Sequence, residues 1–126
     1  MGQDQKTILL IDDDANIRKM VGSRLLWEGF RVVTASTGPE GLEMAQAEHP
    51  SVIILDLMLP LMHGRDVLAH LKEDPHTAHI PVIVLSVLTP IEEQVVAPKG
   101  AAHSHIVKPY QPKELIDTIH LLCRLT

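Results

Sequence analysis

Short apolar runs alternate with amphipathic segments along this chain of 126 residues. The runs at Val52–Leu55 and Pro81–Leu85 are continuously apolar and lack the every-second-residue alternation of a half-exposed strand. Strands of this kind are buried on both faces, as they are in a parallel sheet that helices cover on both sides. The pattern therefore predicts an α/β protein.

Five β-α repeats can be placed on the sequence. Strands are predicted at Thr7–Ile11, Arg31–Ala35, Val52–Leu55 and Pro81–Leu85, with a weak fifth strand at His105–Val107. Helices are predicted after the N-cap Asp14, from about Pro39 to Glu48 after Thr37 and Glu40, between Gly64 and Pro75, irregularly from Pro90 to Lys99, and from Pro112 onward. Right-handed crossovers then favour a doubly wound five-stranded parallel sheet in the order 2-1-3-4-5, the flavodoxin-like arrangement with five helices.

Composition excludes several classes of function. A formal net charge of −5 without a Lys/Arg run argues against direct binding of nucleic acid. The only cysteine, Cys123, permits no intrachain disulfide and fits a reducing compartment. No apolar stretch approaches the roughly 18 residues of a membrane helix. We expect one cytoplasmic domain over residues 1–126, either stand-alone or part of a longer protein.

Polar residues follow four of the predicted strands at the point where each strand ends. Asp12 and Asp13 follow the first strand, Asp56 the third, Ser86 the fourth and Lys108 the fifth. In a doubly wound sheet, sites form beyond the carboxyl ends of the strands, where the winding reverses. These five side chains are therefore expected to share one crevice.

Three carboxylates in one crevice repel one another. At about 4 Å and an effective dielectric constant near 20, a like-charge pair costs on the order of 4 kcal/mol. The cluster therefore requires a cation, a raised pKa or both. An all-oxygen site suits a hard divalent ion such as Mg²⁺, while Lys108 supplies a fixed positive charge and Ser86 a neutral hydroxyl donor.

Four motifs together resemble the receiver domains of response regulators in two-component signalling, including chemotaxis regulators. The motifs are Ile-Leu-Leu-Ile-Asp12-Asp13-Asp14, Leu55-Asp56-Leu57-Met58-Leu59-Pro60, Pro81-Val-Ile-Val-Leu-Ser86 and Val107-Lys108-Pro109. Each motif alone is weak, but the ordered set covers nearly the whole chain. We therefore interpret the chain as similar to this family.

The resemblance implies a role for each residue of the site. Asp56 would accept a phosphoryl group from a sensor histidine kinase or a histidine phosphotransfer protein. Mg²⁺ (or Mn²⁺) would be held by Asp13, Asp56 and the backbone carbonyl of Met58, with Asp12 acting largely through a bound water. Lys108 would pair with the phosphoryl group and Ser86 would turn inward to hydrogen-bond it. The signal would leave through the face of the fourth helix, fifth strand and last helix, where a phosphorylation-dependent homodimer is also compatible with the family.

Several positions depart from the family pattern. His105 replaces the usual aromatic switch residue of the last strand, Val87 replaces a common alanine after the switch hydroxyl, and His63 replaces a common acid before Gly64. The two positions that tune phosphoryl lifetime are Met58 and Leu88, both apolar and unable to orient a hydrolytic water. We therefore expect slow self-dephosphorylation.

Three other functions compete with this interpretation. A haloacid-dehalogenase-like phosphatase would also use a strand-end Asp-x-Asp with Mg²⁺, but Ala15-Asn16 does not continue its motif. A flavodoxin-like cofactor binder needs a first turn rich in Ser, Thr and Gly, whereas this turn is acidic. A degenerate receiver that acts only as an interaction module is kept open by His105. Among the eight histidines, the pairs His76 with His79 and His103 with His105 have no cysteine or other motif at a zinc-site spacing and are interpreted as solvated.

Overall fold

The structure is a computed structural model and describes residues 5–87 and 104–125. Its elements, in chain order, are β1 (Thr7–Ile11), α1 (Ala15–Trp27), β2 (Arg31–Ala35), α2 (Gly38–Glu48), β3 (Val52–Asp56), α3 (Gly64–Glu73), β4 (Val82–Ser86), β5 (Ser104–Val107) and α4 (Pro112–Leu125). The helix predicted from Pro90 to Lys99 lies outside the described residues. None of the helices in these two ranges is long and apolar enough to cross a membrane.

The five strands form one parallel sheet in the order β2-β1-β3-β4-β5, which confirms the predicted topology. β1 and β2 match the predicted bounds, whereas β3 continues by one residue to Asp56 and β4 is displaced by one residue to Val82–Ser86. The extension reflects continued pairing, since Asp56 is aligned with Leu85 on β4 and Ser86 with Val107 on β5. Two site residues therefore belong to the sheet itself.

Two apolar clusters cover the two faces of the sheet. β3 and β4 are buried along their whole length, as their continuous apolar runs predicted. One face packs against α1 and α4 through Ile8, Leu10, Ile54, Ile83, Leu25, Leu115, Ile116 and Ile119. The other face packs against α2 and α3 through Leu9, Ile11, Ile53, Leu55, Val84, Ala45, Val67, Leu68 and Leu71. Burial on both sides holds the strands rigidly, so that residues at their ends have defined positions.

Side chains cap the starts of α1 and α2. Asp14 Oδ1 accepts from the backbone N–H groups of Asn16 and Ile17, as predicted for the N-cap of α1. Thr37 Oγ1 accepts from Glu40 N at 3.2 Å, but the Glu40 carboxylate accepts from Ser36 N, so only half of a capping box forms.

α3 begins after an N-cap that the sequence did not predict. His63 Nδ1 accepts a hydrogen bond from Arg65 N at 3.0 Å. A ring nitrogen that accepts a hydrogen bond carries no hydrogen itself. Histidine thereby replaces the acid that is common at this position. The helix ends at Glu73, before Pro75, as predicted.

Candidate functional site at the carboxyl ends of the strands

The predicted site residues converge beyond the carboxyl ends of β1, β3, β4 and β5. Asp12, Asp56 and Ser86 are buried, with 1%, 4% and 3% of their surface exposed. Asp13 is exposed, and Lys108 follows directly after β5. Polar side chains are rarely buried this far without partners or a ligand. The other buried polar residue of the described chain is Thr77, which lies elsewhere and donates to Leu71 O.

The three acids form a compact cluster. Asp12, Asp13 and Asp56 each offer a carboxylate oxygen, and these oxygens lie within 4.8 Å of one another. Within residues 5–87 and 104–125, this is the one group of three or more His, Cys, Asp or Glu side chains close enough to hold a metal ion. His76 instead pairs with Asp74, which agrees with the interpretation of that histidine as solvated.

Both carboxylate oxygens of Asp56 have a hydrogen-bond donor. Oδ1 accepts from the backbone N–H of Met58 at 3.0 Å, and Oδ2 accepts from Lys108 Nζ at 3.1 Å. The Asp56 side chain is 5% exposed and that of Lys108 is 30% exposed. The ion pair is therefore shielded on the Asp56 side, while the lysine retains contact with water. Two donors fix the rotation of the carboxylate.

Asp12 has one buried oxygen that lacks a partner among the described residues. Its Oδ1 accepts from Asp14 N at 2.9 Å, but Oδ2 has no hydrogen bond. Burial raises the pKa of the Asp12 carboxyl, the Asp14 N–H lowers it, and the nearby charges of Asp56 (raising), Lys108 (lowering) and Asp13 (raising) act as well. A buried, unpaired oxygen among three carboxylates fits a hard divalent cation.

Gly64 permits the close approach of α3 to the Asp56 loop. A Cβ atom at this position would lie 2.5 Å from Leu57 Cα and 2.7 Å from Asp56 O. The Gly64 N–H also donates to Leu57 O at 2.9 Å. Any side chain here would push main-chain atoms of the loop away, so glycine is required for packing rather than for its φ angle.

The two predicted switch residues lie on neighbouring strands, Ser86 at the carboxyl end of β4 and His105 at the position of β5 that is aligned with Val84. Ser86 ends β4, and its carbonyl accepts from Lys108 N at 2.8 Å, which joins the ends of β4 and β5. His105 lies within β5 and is partly buried. Its Nε2 atom has no hydrogen-bond partner in the described part of the chain. Their role in switching stays a prediction.

Of the two residues predicted to tune phosphoryl lifetime, Met58 lies within the described residues. Met58 is 65% exposed beside Asp56, and its backbone N–H bonds the carboxylate. Leu88 lies outside the described residues. Val87, which immediately precedes it, is 66% exposed, as is compatible with a residue that borders access to Asp56.

Sequence reasoning missed two neighbours of the site. Arg18 Nη1 donates to the carbonyl oxygen of Asp12 at 2.7 Å. Tyr110, two residues after Lys108, is partly buried, and its pKa is raised by burial and by the negative charges of Asp12 and Asp56. The Lys108–Pro109 peptide bond is cis. Nothing in the sequence singles out Arg18 or Tyr110, since their contacts depend on distances across the fold.

A groove of about 590 Å³ lies between α1 and α4. Its lining is mainly apolar and includes Ile17, Met20, Val87, Pro109, Tyr110 and Leu115, together with Lys108, the ion-pair partner of Asp56. Met20 and Val87, which both line the groove, are 59% and 66% exposed. An apolar surface therefore adjoins the charged site.

Comparison with known proteins yields one family. Residues 8–120 match the family described as response regulator receiver domain. The "Probable transcriptional regulator ycf27" of Cyanophora paradoxa is 37% identical over 122 residues, which are 97% of this chain and 50% of that protein. The "DNA-binding dual master transcriptional regulator RpaA" of Synechocystis is 35% identical over 119 residues, 94% of this chain and 49% of that protein. The chain thus spans about half the length of these curated relatives.

Solved structures give the same result. The chemotaxis response regulator CheY4 of Vibrio cholerae has a TM-score of 0.86 and 30% identity, covering 94% of this chain and 98% of that one. The CheY-like receiver domain protein of Methanospirillum hungatei has a TM-score of 0.88 and 27% identity, covering 97% and 96%. Sequence and fold agree, and the chain belongs to the response regulator receiver domain family.

Proposed function

We propose that Asp56 is the phosphoacceptor of this receiver domain and that the donor is a phosphohistidine on a sensor histidine kinase or a histidine phosphotransfer protein. The observation that carries the proposal is the setting of Asp56. It is a buried carboxylate at the end of a central strand, held by Lys108 Nζ at 3.1 Å and by the Met58 N–H at 3.0 Å. A buried acid with a lysine partner and two acidic neighbours is suited to phosphoryl transfer.

The chemistry is an in-line displacement. One Asp56 oxygen attacks phosphorus, the bond from phosphorus to the donor imidazole breaks, and an aspartyl phosphate forms on Asp56. Lys108, released from its ion pair, offsets negative charge on the phosphoryl oxygens, and the Ser86 hydroxyl donates a hydrogen bond to one of them. Positioning and charge compensation are the main contributions a protein makes to this reaction.

Mg²⁺ (or Mn²⁺) is the cofactor that the donor set favours. Asp13, Asp56 and the backbone carbonyl of Met58 would hold the ion, and the buried Asp12 Oδ2 would accept from a water bound to it. When bound, the ion supplies charge neutralisation for the acids and the phosphoryl oxygens. The support is the cluster of three carboxylates within 4.8 Å and the unpaired Asp12 oxygen.

The groove between α1 and α4 is a suitable place for the donor protein. It is mainly apolar and is lined in part by Lys108, whose Nζ lies 3.1 Å from Asp56 Oδ2. A helical surface with a histidine near an apolar patch would bury Met20 and Val87 on binding and bring the imidazole to Asp56. This arrangement favours a protein donor over a small metabolite alone.

We also propose a wider role for the domain, based on the family to which it belongs. Residues 1–126 would form one receiver domain that acts in the cytoplasm, and not as a turnover enzyme. Since the curated relatives are transcriptional regulators of about twice this length, regulation of transcription through other parts of such a protein is one output. The signal would pass through the face of the predicted fourth helix, β5 and the last helix α4, with Ser86 and His105 as switch residues, and through a phosphorylation-dependent homodimer.

Phosphorylation by acetyl phosphate in the presence of Mg²⁺ tests the central claim. Intact-protein mass spectrometry should show the gain of one phosphoryl group in the wild type and none in Asp56→Asn. Asp66→Asn is the matched control, since Asp66 is an exposed acid in the first turn of α3. Phosphorylation retained in Asp56→Asn would contradict the assignment. Sustained release of phosphate from a phosphomonoester, lost in Asp12→Asn but kept in Asp56→Asn, would favour a phosphatase instead.

A further inference from the structure

Arg18 links the first turn of α1 to the main chain at the acid cluster. Its Nη1 donates to the carbonyl oxygen of Asp12 at 2.7 Å, and the contact is partly buried. The Arg18 backbone N–H donates to Asp14 O at 3.0 Å. The segment from Asp12 to Asp14 is therefore tied to α1 by both the side chain and the main chain of one residue.

The hydrogen bond from Arg18 is one of three that hold Asp12 in place. Its N–H donates to Ala35 O at 3.0 Å, and its Oδ1 accepts from Asp14 N at 2.9 Å. Its carbonyl accepts from Arg18. The remaining polar atom, Oδ2, is buried without a partner in the described residues. Three of the four polar atoms thus hold the residue in place, and the fourth is left for a ligand.

Arg18 acts on the main chain rather than on the carboxylates. Its guanidinium is engaged with a neutral carbonyl. Loss of Arg18 would therefore change where Asp12 lies more than it would change the charge of the site.

We propose that Arg18 is a positioning residue for the divalent cation, holding the Asp12 and Asp13 turn against Asp56 through its hydrogen bond to the Asp12 carbonyl. The proposal rests on the proposed function, because it concerns the same Mg²⁺ site. Arg18 does not contact the ion or the phosphoryl group. Residues that orient metal ligands from behind change metal affinity by about 10- to 100-fold when they are removed.

A positioning role for Arg18 and a simple effect of its charge predict opposite changes in Mg²⁺ affinity when Arg18 is replaced. Arg18 is a cation near a cation site, so loss of its charge alone would make Mg²⁺ bind more tightly. Loss of a positioning contact makes Mg²⁺ bind more weakly. The direction of the change in affinity therefore separates the two explanations.

Isothermal titration of the metal-free protein with Mg²⁺ is the test. We expect Arg18→Met to weaken binding about tenfold and Arg18→Lys, which can still donate to the carbonyl, to stay within about threefold of the wild type. Lys19→Met is the matched control, since Lys19 is the exposed neighbour on the same helix. It removes the same charge and should leave affinity unchanged or slightly increased.

Phosphorylation kinetics give a second measurement. With acetyl phosphate, Arg18→Met should raise the Mg²⁺ concentration for half-maximal rate about tenfold and leave the rate at saturating Mg²⁺ within about twofold of the wild type. A general loss of structure would instead lower the rate at all Mg²⁺ concentrations and the thermal midpoint in EDTA.

Unchanged or tighter Mg²⁺ binding in Arg18→Met would overturn the proposal. So would equal weakening in Arg18→Met and Lys19→Met, since the weakening would then not depend on the hydrogen bond to the Asp12 carbonyl. If Arg18→Met does not fold, the folded Arg18→Lys variant decides through its affinity. A wild-type protein that takes up no Mg²⁺ would contradict the proposed function and this inference together, whereas normal uptake in every variant would contradict this inference alone.

Discussion

Lys108 Nζ lies 3.1 Å from Asp56 Oδ2, although the two residues are 52 positions apart in the chain. The pair joins the end of a central strand to the end of the edge strand β5 across β4. Because the Asp56 side chain is 5% exposed, its charge is poorly screened by water, and the lysine is its ion-pair partner among the described residues. The reactivity of the acid should therefore depend on this one cation.

Replacing the lysine should slow phosphorylation strongly. Lys108→Met removes the positive charge that offsets the phosphoryl oxygens, so we expect the rate with acetyl phosphate at saturating Mg²⁺ to fall about 100-fold. The decrease can be followed by mass spectrometry over time. Lys113→Met is the control, since Lys113 forms an exposed pair with Asp117 on α4. A Lys108→Met protein that reacts at the wild-type rate would show that the ion pair is only structural.

Removing the buried charge of Asp12 should stabilise the metal-free protein. The asparagine of Asp12→Asn would still accept from Asp14 N, but it carries no charge to desolvate or to repel Asp56. We expect this substitution to raise the free energy of unfolding by about 1 kcal/mol at neutral pH in EDTA. Urea unfolding followed by circular dichroism measures it.

The gain from Asp12→Asn depends on pH with a defined sign. Burial raises the pKa of Asp12 in the folded protein, so the folded state binds its proton more tightly than the unfolded chain does. The ionised carboxyl therefore costs stability above its folded pKa, and this cost disappears below its unfolded pKa. The advantage of Asp12→Asn should shrink as the pH falls through the folded pKa. A gain that stays constant into acid would exclude desolvated charge as its cause.

Gly64 and Gly22 should respond to alanine in opposite directions. Gly64→Ala forces Leu57 Cα and Asp56 O to move, so we expect a loss of about 2–4 kcal/mol and slower phosphorylation. A Cβ atom at Gly22, inside α1, would meet only Val32 Cγ1 at 3.9 Å, so Gly22→Ala should add about 0.5–1 kcal/mol. Chemical denaturation of both variants provides the comparison. Equal effects would show that close approach at Gly64 does not matter.

The aspartyl phosphate should decay slowly. Met58 beside Asp56 is apolar and, together with Leu88, offers no group that could orient an attacking water. We expect the double variant Met58→Asn, Leu88→Glu to lose its phosphoryl group about tenfold faster than the wild type, because positioned general bases give effects of at least this size. Decay of the phosphorylated protein after removal of the donor measures the rate. Loss within seconds in the wild type, unaltered in the double variant, would refute the prediction.

Most of the fold was predictable because each strand is a mainly apolar run that ends next to a polar residue. β1 and β2 were placed to the residue, and the order of the sheet followed from crossover handedness. The end of β3 was missed by one residue, since Asp56 resembles a loop acid although its backbone still pairs with β4. Hydrophobicity marks where a strand is buried and does not mark where its hydrogen bonds stop.

The acidic residues of the site could be predicted from the sequence, but the contacts that hold them in place could not. Asp12, Asp13 and Asp56 stand at strand ends and are recognised by position. The hydrogen bond from Arg18 to Asp12 O depends on how a helix lies against a turn, and the close contact of Gly64 with Leu57 depends on the separation of two backbones. Neither distance leaves a periodic trace in the sequence, so only the folded arrangement reveals these supports.

The register of the sheet has a consequence for how this domain can vary over evolutionary time. Asp56 is aligned with Leu85, and Ser86 with Val107, so a one-residue insertion or deletion within β3 or β4 would rotate a site residue into an apolar cluster. Connections at the amino ends of the strands, such as residues 49–51 before β3, contain no residue of the site. Length changes should therefore accumulate at those ends, while the strands leading to the acids tolerate substitution but not a change in residue count.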